Sequence, residues 1–252
     1  MKSSWTVQFD PDLPGEEQMR RDRLLAEQCA IDGLPRLRLY TWRPWCLSLG
    51  HGQKIEEIDT EAVRQQGFDL VRRPTGGRAV LHAEELTYAV AMPTGARGVH
   101  ETYGAITESI RSGLERLGAR DLDFSRAQPD FREHYATLDS ASCFSASALR
   151  ELTWQGRKLL GSAQRRYGEV LLQHGSLLLG DAHLRIVDLL HPNLAEDRRE
   201  ALRTRLRERT ATLQQAMGGA LPPLAAIVEA ITAAFTSPTS VLSTAQPTTL
   251  AG

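Results

Sequence analysis

Three arginines, two adjacent glycines and a histidine fall within the eleven residues Arg72-Arg73-Pro74-Thr75-Gly76-Gly77-Arg78-Ala79-Val80-Leu81-His82. Adjacent glycines let a ligand approach the backbone, because no Cβ stands in the way. They also allow the positive φ that turns successive N–H groups towards one point, forming a nest for an anion or a carbonyl oxygen. Arg72, Arg73 and Arg78 would surround such a nest with positive charge. A tight turn with solvated arginines is the plainer reading of a bare Thr-Gly-Gly, but this density of cationic groups favours a binding loop. The spacing fits neither a dinucleotide-binding fingerprint nor a Walker loop.

A second candidate for chemistry is Cys143. Its neighbours in Asp139-Ser140-Ala141-Ser142-Cys143-Phe144-Ser145-Ala146-Ser147-Ala148 are mostly small and polar, so the thiol could be reached. Cys29 lies beside Leu25 and Ala26, and Cys46 alternates with Ser48. Both read as core positions, since free cysteine is commonly buried. An ordinary thiol titrates near about 8.5, so only a small fraction is nucleophilic thiolate at neutral pH unless a cation stands nearby.

These residues must be positioned by helices and strands whose patterns are readable. The sequence predicts a helix over 15–31, a half-buried strand over 37–42, a strand over 46–49 and a short helix over 55–66. A strand over 68–72 leads into the glycine loop, and strands over 79–82 and 86–92 follow it. Ile106, Ile110, Leu114 and Leu117 recur at helical spacing, predicting an amphipathic helix over 103–117 closed by Gly118. The polar stretch 120–142 reads as a long loop, a length often associated with function. A hairpin is expected around Gln155-Gly156, joining 149–154 to 157–160. A pair of strands is expected around His174-Gly175 within 170–179. The stretch 196–210 contains six arginines and reads as a charged helix, 224–235 reads as a small apolar one, and 237–252 is rich in Ser, Thr and Pro. This order favours an α+β fold, mixed and antiparallel sheets flanked by helices. The expected organisation is a catalytic domain over 1–180, a C-terminal helical extension over 181–236 and a disordered tail over 237–252.

Bulk properties narrow the function classes. The chain has 252 residues, 41% hydrophobic and 24% charged, with a net charge of −1. That composition suits a folded α/β-type domain and suggests neither a nucleic-acid partner nor a membrane surface. No apolar run approaches the ~20 residues that span a bilayer. The start Met1-Lys2-Ser3-Ser4-Trp5-Thr6 lacks a signal-like apolar region, so cytoplasm is the expected compartment. Three cysteines do not make a disulfide framework, and the seven histidines form no zinc-binding spacing, so no metal site is expected.

The glycine-loop run, with Glu85-Leu86-Thr87-Tyr88 after it, closely resembles the signature of the lipoate–biotin protein ligase superfamily. Within that superfamily it looks most like the octanoyltransferases, which move an octanoyl group from acyl carrier protein to a lipoyl-accepting protein. Lipoate ligases usually carry a third glycine where this chain has Arg78. The resemblance covers about 18–179 and includes Gly156-Arg157-Lys158, Gly161-Ser162-Ala163-Gln164-Arg165 and Gln173-His174-Gly175-Ser176. It implies a biotin/lipoate protein ligase-like catalytic domain, with Cys143 as nucleophile and Lys158 as the cation that stabilises thiolate or oxyanion. It further implies a substrate pocket that draws on Arg72, Arg73, Thr75, Gly76, Gly77, Arg78, His82, Tyr88, Gly161, Ser162, Ala163 and His174. Val80, Leu81, Tyr88 and Leu160 are the expected apolar walls. The roles of His82 and His174 stay open between pocket wall, base and hydrogen-bonded strand residue.

The implied reaction has two steps and needs neither ATP, metal nor other cofactor. Cys143 takes the octanoyl group from octanoyl-acyl carrier protein, and a lysine of a lipoyl-domain protein, such as the glycine cleavage H protein, then takes it from Cys143. Two departures from the family pattern bear on loop geometry: Ala83 stands where aspartate is more common, and Ser147-Ala148 replaces a Pro-Ser pair. Three other readings remain: an ATP-dependent lipoate or octanoate ligase, an octanoyl amidotransferase between lipoyl-domain proteins, and a non-catalytic protein that holds acylated carrier protein. The arginines of 198–209 could dock an acidic carrier protein, although Glu196, Asp197, Glu200 and Glu208 make a solvated face the plainer reading.

Overall fold

The computed structural model describes residues 5–95, 98–125 and 151–242. Its largest sheet contains β1 (Thr6–Leu13), β2 (Arg36–Trp42), β6 (Glu85–Pro93), β10 (Leu160–Tyr167) and β11 (Val170–Leu178), in the order β1-β2-β6-β11-β10. Only the β1–β2 pairing is parallel. A second sheet places β3 (Cys46–Leu49) between β4 (Asp69–Arg72), parallel to it, and β5 (Val80–His82), antiparallel to it. A third, antiparallel sheet contains β7 (Leu122–Phe124), β8 (Leu152–Trp154) and β9 (Arg157–Lys158). The fold is α+β with mixed and antiparallel sheets, as the sequence pattern indicates.

Both faces of the large sheet are covered, so polar side chains of its central strands, such as Arg38, Thr87 and His174, are buried as well. Leu37 and Leu39 of β2 and Leu86 and Val90 of β6 face α3 (Val99–Arg116), through Ile106, Ile110 and Leu114. The alternate residues Tyr40, Trp42, Ala89 and Ala91 face α1 (Gly15–Asp32), through Met19, Leu25, Ala26 and Cys29. This two-residue alternation follows from the pleat. Each fully buried aliphatic side chain contributes roughly 1.5–3 kcal/mol. The short helix α2 (Thr60–Gln65) packs Val63 beneath the small sheet. That sheet is covered by a 3-10 segment, Asp181–Leu189, and by α4 (Glu196–Arg209). After α5 (Leu213–Ala216), α6 (Leu224–Thr236) packs Ile227, Ile231 and Phe235 into the core under α3.

Three local expectations change. The helix expected over 55–66 is broken into a 3-10 turn, Ile55–Glu57, and α2. Asp59 causes the break, because its carboxylate accepts the Ala62 N–H and so caps a new helix start. The glycine loop links β4 to β5 past the end of β3, which lies between them, so the tight-turn reading set aside above does not apply. No turn occurs at His174-Gly175; β11 runs straight through, and the reversal comes at Gly168, with φ 57°. The expected long loop over 120–142 begins with strand β7, which pairs with β8. The rest of that stretch, with Cys143, lies outside the described residues.

Of the segment 237–252, Ser240 and Leu242 are buried, the latter in the main core, and 243–252 lie outside the described residues. Among the described residues no helix is long and apolar enough to cross a membrane.

Candidate active site

The chain between β4 and β5 must pass over the end of β3, which brings the glycine loop against Gly50. A Cβ at Gly50 would stand 1.9 Å from the carbonyl oxygen of Gly77, so glycine is obligatory there. Gly77 itself has φ 94°. The arginines that the sequence places around the loop bind protein groups in and beside it. Arg72 Nη1 donates to the carbonyls of Gly50 and Gln53, each at 2.7 Å. Arg73 Nη2 donates to those of Gly76 (2.9 Å) and Arg78 (2.6 Å). Arg78 pairs with Glu57 at 3.0 Å, and Arg165 of β10 reaches Pro74 O at 2.8 Å. At Gly76 a Cβ would meet nothing within 4 Å, so the backbone there is approachable.

Beneath the loop, where the two larger sheets meet, is a cavity of ≈ 30 Å³. Its walls bring together the expected residues Arg73, His82, Gly161, Ser162, Ala163 and His174, together with Val80. Thr75 lies behind His174, Gly76 and Gly77 stay in the loop above, and Leu81, Tyr88 and Leu160 face into cores instead. Tyr88 still bears on the site, because its hydroxyl meets Ser162 Oγ at 2.7 Å and accepts from Gln173 at 2.6 Å. Burial pushes its phenol well above the ordinary range. Gly175 allows this approach: a Cβ there would stand 2.5 Å from Gly161 O and 2.7 Å from Tyr88 Cε1.

Sequence reasoning missed Met19, Tyr40, Trp42, Thr87 and Ser176 as walls. The available signal was the run of large or polar side chains at alternate positions, Arg38, Tyr40 and Trp42, on one face of β2.

Two hydrogen-bonded chains flank the cavity. On one side His82 Nδ1 meets Glu85 Oε1 at 2.7 Å, and Nε2 meets Ser48 Oγ at 2.7 Å. A carboxylate can only accept, so His82 donates from Nδ1 and its Nε2 accepts the Ser48 hydroxyl. Arg73 Nη1 donates to the same serine oxygen at 3.2 Å, which agrees with that direction. Glu85 Oε1 also accepts from Thr87 (2.5 Å) and Ser176 (2.9 Å).

On the other side His174 Nδ1 meets Asp22 Oδ2 at 2.8 Å, and Nε2 meets Thr75 Oγ1 at 2.6 Å. The fully buried Arg38 and the Tyr40 hydroxyl donate to the same carboxylate. Burial, reinforced by the Asp22 charge, pushes the Tyr40 hydroxyl well above its ordinary range. Each imidazole therefore has both nitrogens engaged. The two histidines brace the cavity rather than present a free basic nitrogen to it.

Lys158 sits on the hairpin that leads directly into β10, three residues before Gly161. Its side chain is 1% exposed, and Nζ pairs with Glu151 Oε1 at 2.8 Å. The backbone of Lys158 is pinned from the C-terminal side, where Ala211 N–H donates to its carbonyl at 2.9 Å. Cys29 and Cys46 are buried. Burial pushes the Cys29 thiol up to about 11 and the Cys46 thiol well above its usual value, so neither supplies thiolate at neutral pH.

Comparison with known proteins agrees with this arrangement. The family profile of the lipoyl protein ligase A/B catalytic domain matches residues 14–236. An octanoyltransferase LipM of Geobacillus kaustophilus is 48% identical over 153 residues, 58% of this chain and 54% of that protein. One from Symbiobacterium thermophilum is 37% identical over 228 residues, 86% of this chain and 80% of that protein. In the first curated relatives it matches, the chain spans about half the length. Among solved structures, the bi-partite lipoate protein ligase of Thermoplasma acidophilum superposes with a TM-score of 0.68 at 20% identity, covering 91% of this chain and 81% of that one. A lipoate-protein ligase A bound with ATP superposes equally well, 0.68 at 20% identity, covering 93% and 84%. At that identity the likeness speaks for the fold. The profile match spans nearly the whole described molecule, and the chain belongs to the lipoyl protein ligase A/B catalytic domain family.

Proposed function

We propose that this protein is a cysteine-dependent octanoyltransferase of lipoate assembly. It would take an octanoyl group from acyl carrier protein and pass it to a lysine of a lipoyl-domain protein, such as the glycine cleavage H protein. The observation that carries this reading is the set of relatives named octanoyltransferase LipM, at 37–48% identity. The position of the cavity supports it: Met19, Trp42, Val80 and Gly161 line a small space, which an octanoyl chain would have to widen, beside a loop with an approachable backbone.

In this mechanism the Cys143 thiolate attacks the donor thioester carbonyl. The bond to the carrier thiol breaks, that thiol leaves with a proton, and the octanoyl group remains on Cys143. One thioester replaces another at little net free-energy change. The acceptor lysine, as free amine, then attacks the acyl-enzyme, forming an amide and releasing the Cys143 thiol. Lys158, whose ammonium pairs with Glu151, would supply the cation beside the oxyanion of both tetrahedral intermediates. No step uses ATP.

The test is the intact mass of the protein after mixing with octanoyl-carrier protein without ATP. The expected result is a gain of one octanoyl group, removed by hydroxylamine and absent in Cys143→Ala. Protein that stays unmodified, and acylates its acceptor only with ATP and free octanoate, would instead be a ligase.

A further inference from the structure

The positive charge of the glycine loop is engaged within the molecule. Arg72 and Arg73 hold backbone carbonyls, Arg78 pairs with Glu57, and Arg165 reaches Pro74. Lys158 is buried against Glu151. The six arginines of α4 divide differently. Arg199 donates to the carbonyls of Val187, Leu190 and His191, and Arg203 pairs with Asp188 and Glu200, so these two fasten the helix to the segment before it. Arg198, Arg205 and Arg209 are exposed. They fall at i, i+7 and i+11, which a helix of 3.6 residues per turn places along one edge. The carboxylates of α4, at Glu196, Asp197, Glu200 and Glu208, fall outside that row.

The row ends beside the hairpin that carries Lys158. Thr210, the residue after α4, bridges Lys158 in parallel, and Ala211 N–H donates to the Lys158 carbonyl at 2.9 Å. Arg157, on the same hairpin, reaches Thr210 O through Nη1 at 3.5 Å, so its guanidinium adjoins the end of the row.

We propose that Arg198, Arg205 and Arg209, with Arg157 at the end of their row, form the surface on which the acyl donor docks through its acidic protein face. The proposal rests on the reading of the donor as octanoyl-acyl carrier protein. Charge decides between the two protein substrates. The donor brings an acidic surface and a thioester arm joined through a phosphodiester, and arginines attract both. The acceptor brings a lysine ammonium, which the same row repels. With a net charge of −1 the chain as a whole steers neither, so attraction of an acidic donor needs a local patch.

The experiment follows acylation of the intact protein by mass, with octanoyl-carrier protein and with octanoyl-pantetheine, which lacks both the carrier protein and the phosphodiester. Transfer from acylated enzyme to the lipoyl-domain acceptor is timed separately, and folding is checked by circular dichroism. Wild type should react faster with the carrier protein than with the small thioester, and that advantage should shrink as salt rises. Arg205→Glu combined with Arg209→Glu should lose on the order of tenfold with the carrier protein, through weaker binding. Its reaction with octanoyl-pantetheine and its transfer step should match wild type. Arg205→Gln with Arg209→Gln, which removes charge without reversing it, decides the matter if the glutamate pair does not fold. Equal loss with both donors, loss confined to the transfer step, or no loss overturns the proposal while the transferase reading stands. Wild type that octanoyl-carrier protein does not acylate overturns that reading, and the proposal falls with it.

Discussion

Across the β8–β9 hairpin, Lys158 Nζ lies 2.8 Å from Glu151 Oε1, with both side chains almost completely buried. Lys158 stands opposite Thr153, so Glu151 is its diagonal neighbour on the same face. Two charges out of water are tolerated as a pair, but one alone is not. Glu151→Gln should therefore destabilise the fold by about 3–5 kcal/mol, and adding Lys158→Met should recover most of the loss. Urea titrations of the single and double variants check this; equal midpoints for both would count against a coupled pair.

Gly175 is a packing requirement of the site. Gly175→Ala should cost about 1–3 kcal/mol, as overpacking does. Removing the Ser162 hydroxyl as well should not restore stability, because the Gly161 carbonyl oxygen, 2.5 Å from the new methyl, belongs to the β10 backbone. Thermal melts of Gly175→Ala with and without Ser162→Ala measure it.

His183 ties the segment before α4 to Thr210, with Nε2 2.9 Å from the threonine hydroxyl. Burial lowers its pKa below the ordinary 6.5. As pH falls through 6.5 the unfolded chain takes up a proton that the folded chain still refuses. Stability therefore falls with acidity in that window and is retained above it. The fall in melting temperature between pH 7.5 and pH 5 should be smaller in His183→Gln than in wild type. An equal fall in both would assign the acid sensitivity to other groups.

The two buried thiols predict an alkylation pattern. Iodoacetamide at neutral pH should leave Cys29 and Cys46 unmodified in the folded protein, because burial keeps them protonated and out of reach. Peptide mapping should find native labelling only at Cys143, and all three cysteines labelled in urea. Rapid native labelling of Cys46 would contradict its place in the core.

Much of the fold is legible where one periodicity holds over a long stretch. The apolar positions of α3 announce a helix, and Gly118 closes it close to where the pattern ends. Strand β3 is bounded by Pro44 and Gly50, so its limits are readable too. Legibility fails where a single side chain competes with the pattern. Asp59 breaks a helix that 55–66 otherwise supports, since a cap forms only when its carboxylate meets a backbone N–H. Gly175 looks like a turn, and only the neighbouring strands show that it is a vacated Cβ position.

By itself the sequence determined which residue types the site has and in what order they occur along the chain. The glycine loop, Lys158 after its tight turn and the buried character of Cys29 and Cys46 follow from local spacing, because turn geometry and burial preference are local properties. Tertiary structure decided what those groups touch. Arg72 and Arg73 hold backbone carbonyls, both histidines are held at both nitrogens, and Trp42 stacks on His82 in the cavity wall. These relations join residues such as Asp22 and His174, distant in sequence, that meet only when α1 packs on the large sheet. Hydrogen bonds at 2.6–2.8 Å depend on that packing, and no short-range pattern records it.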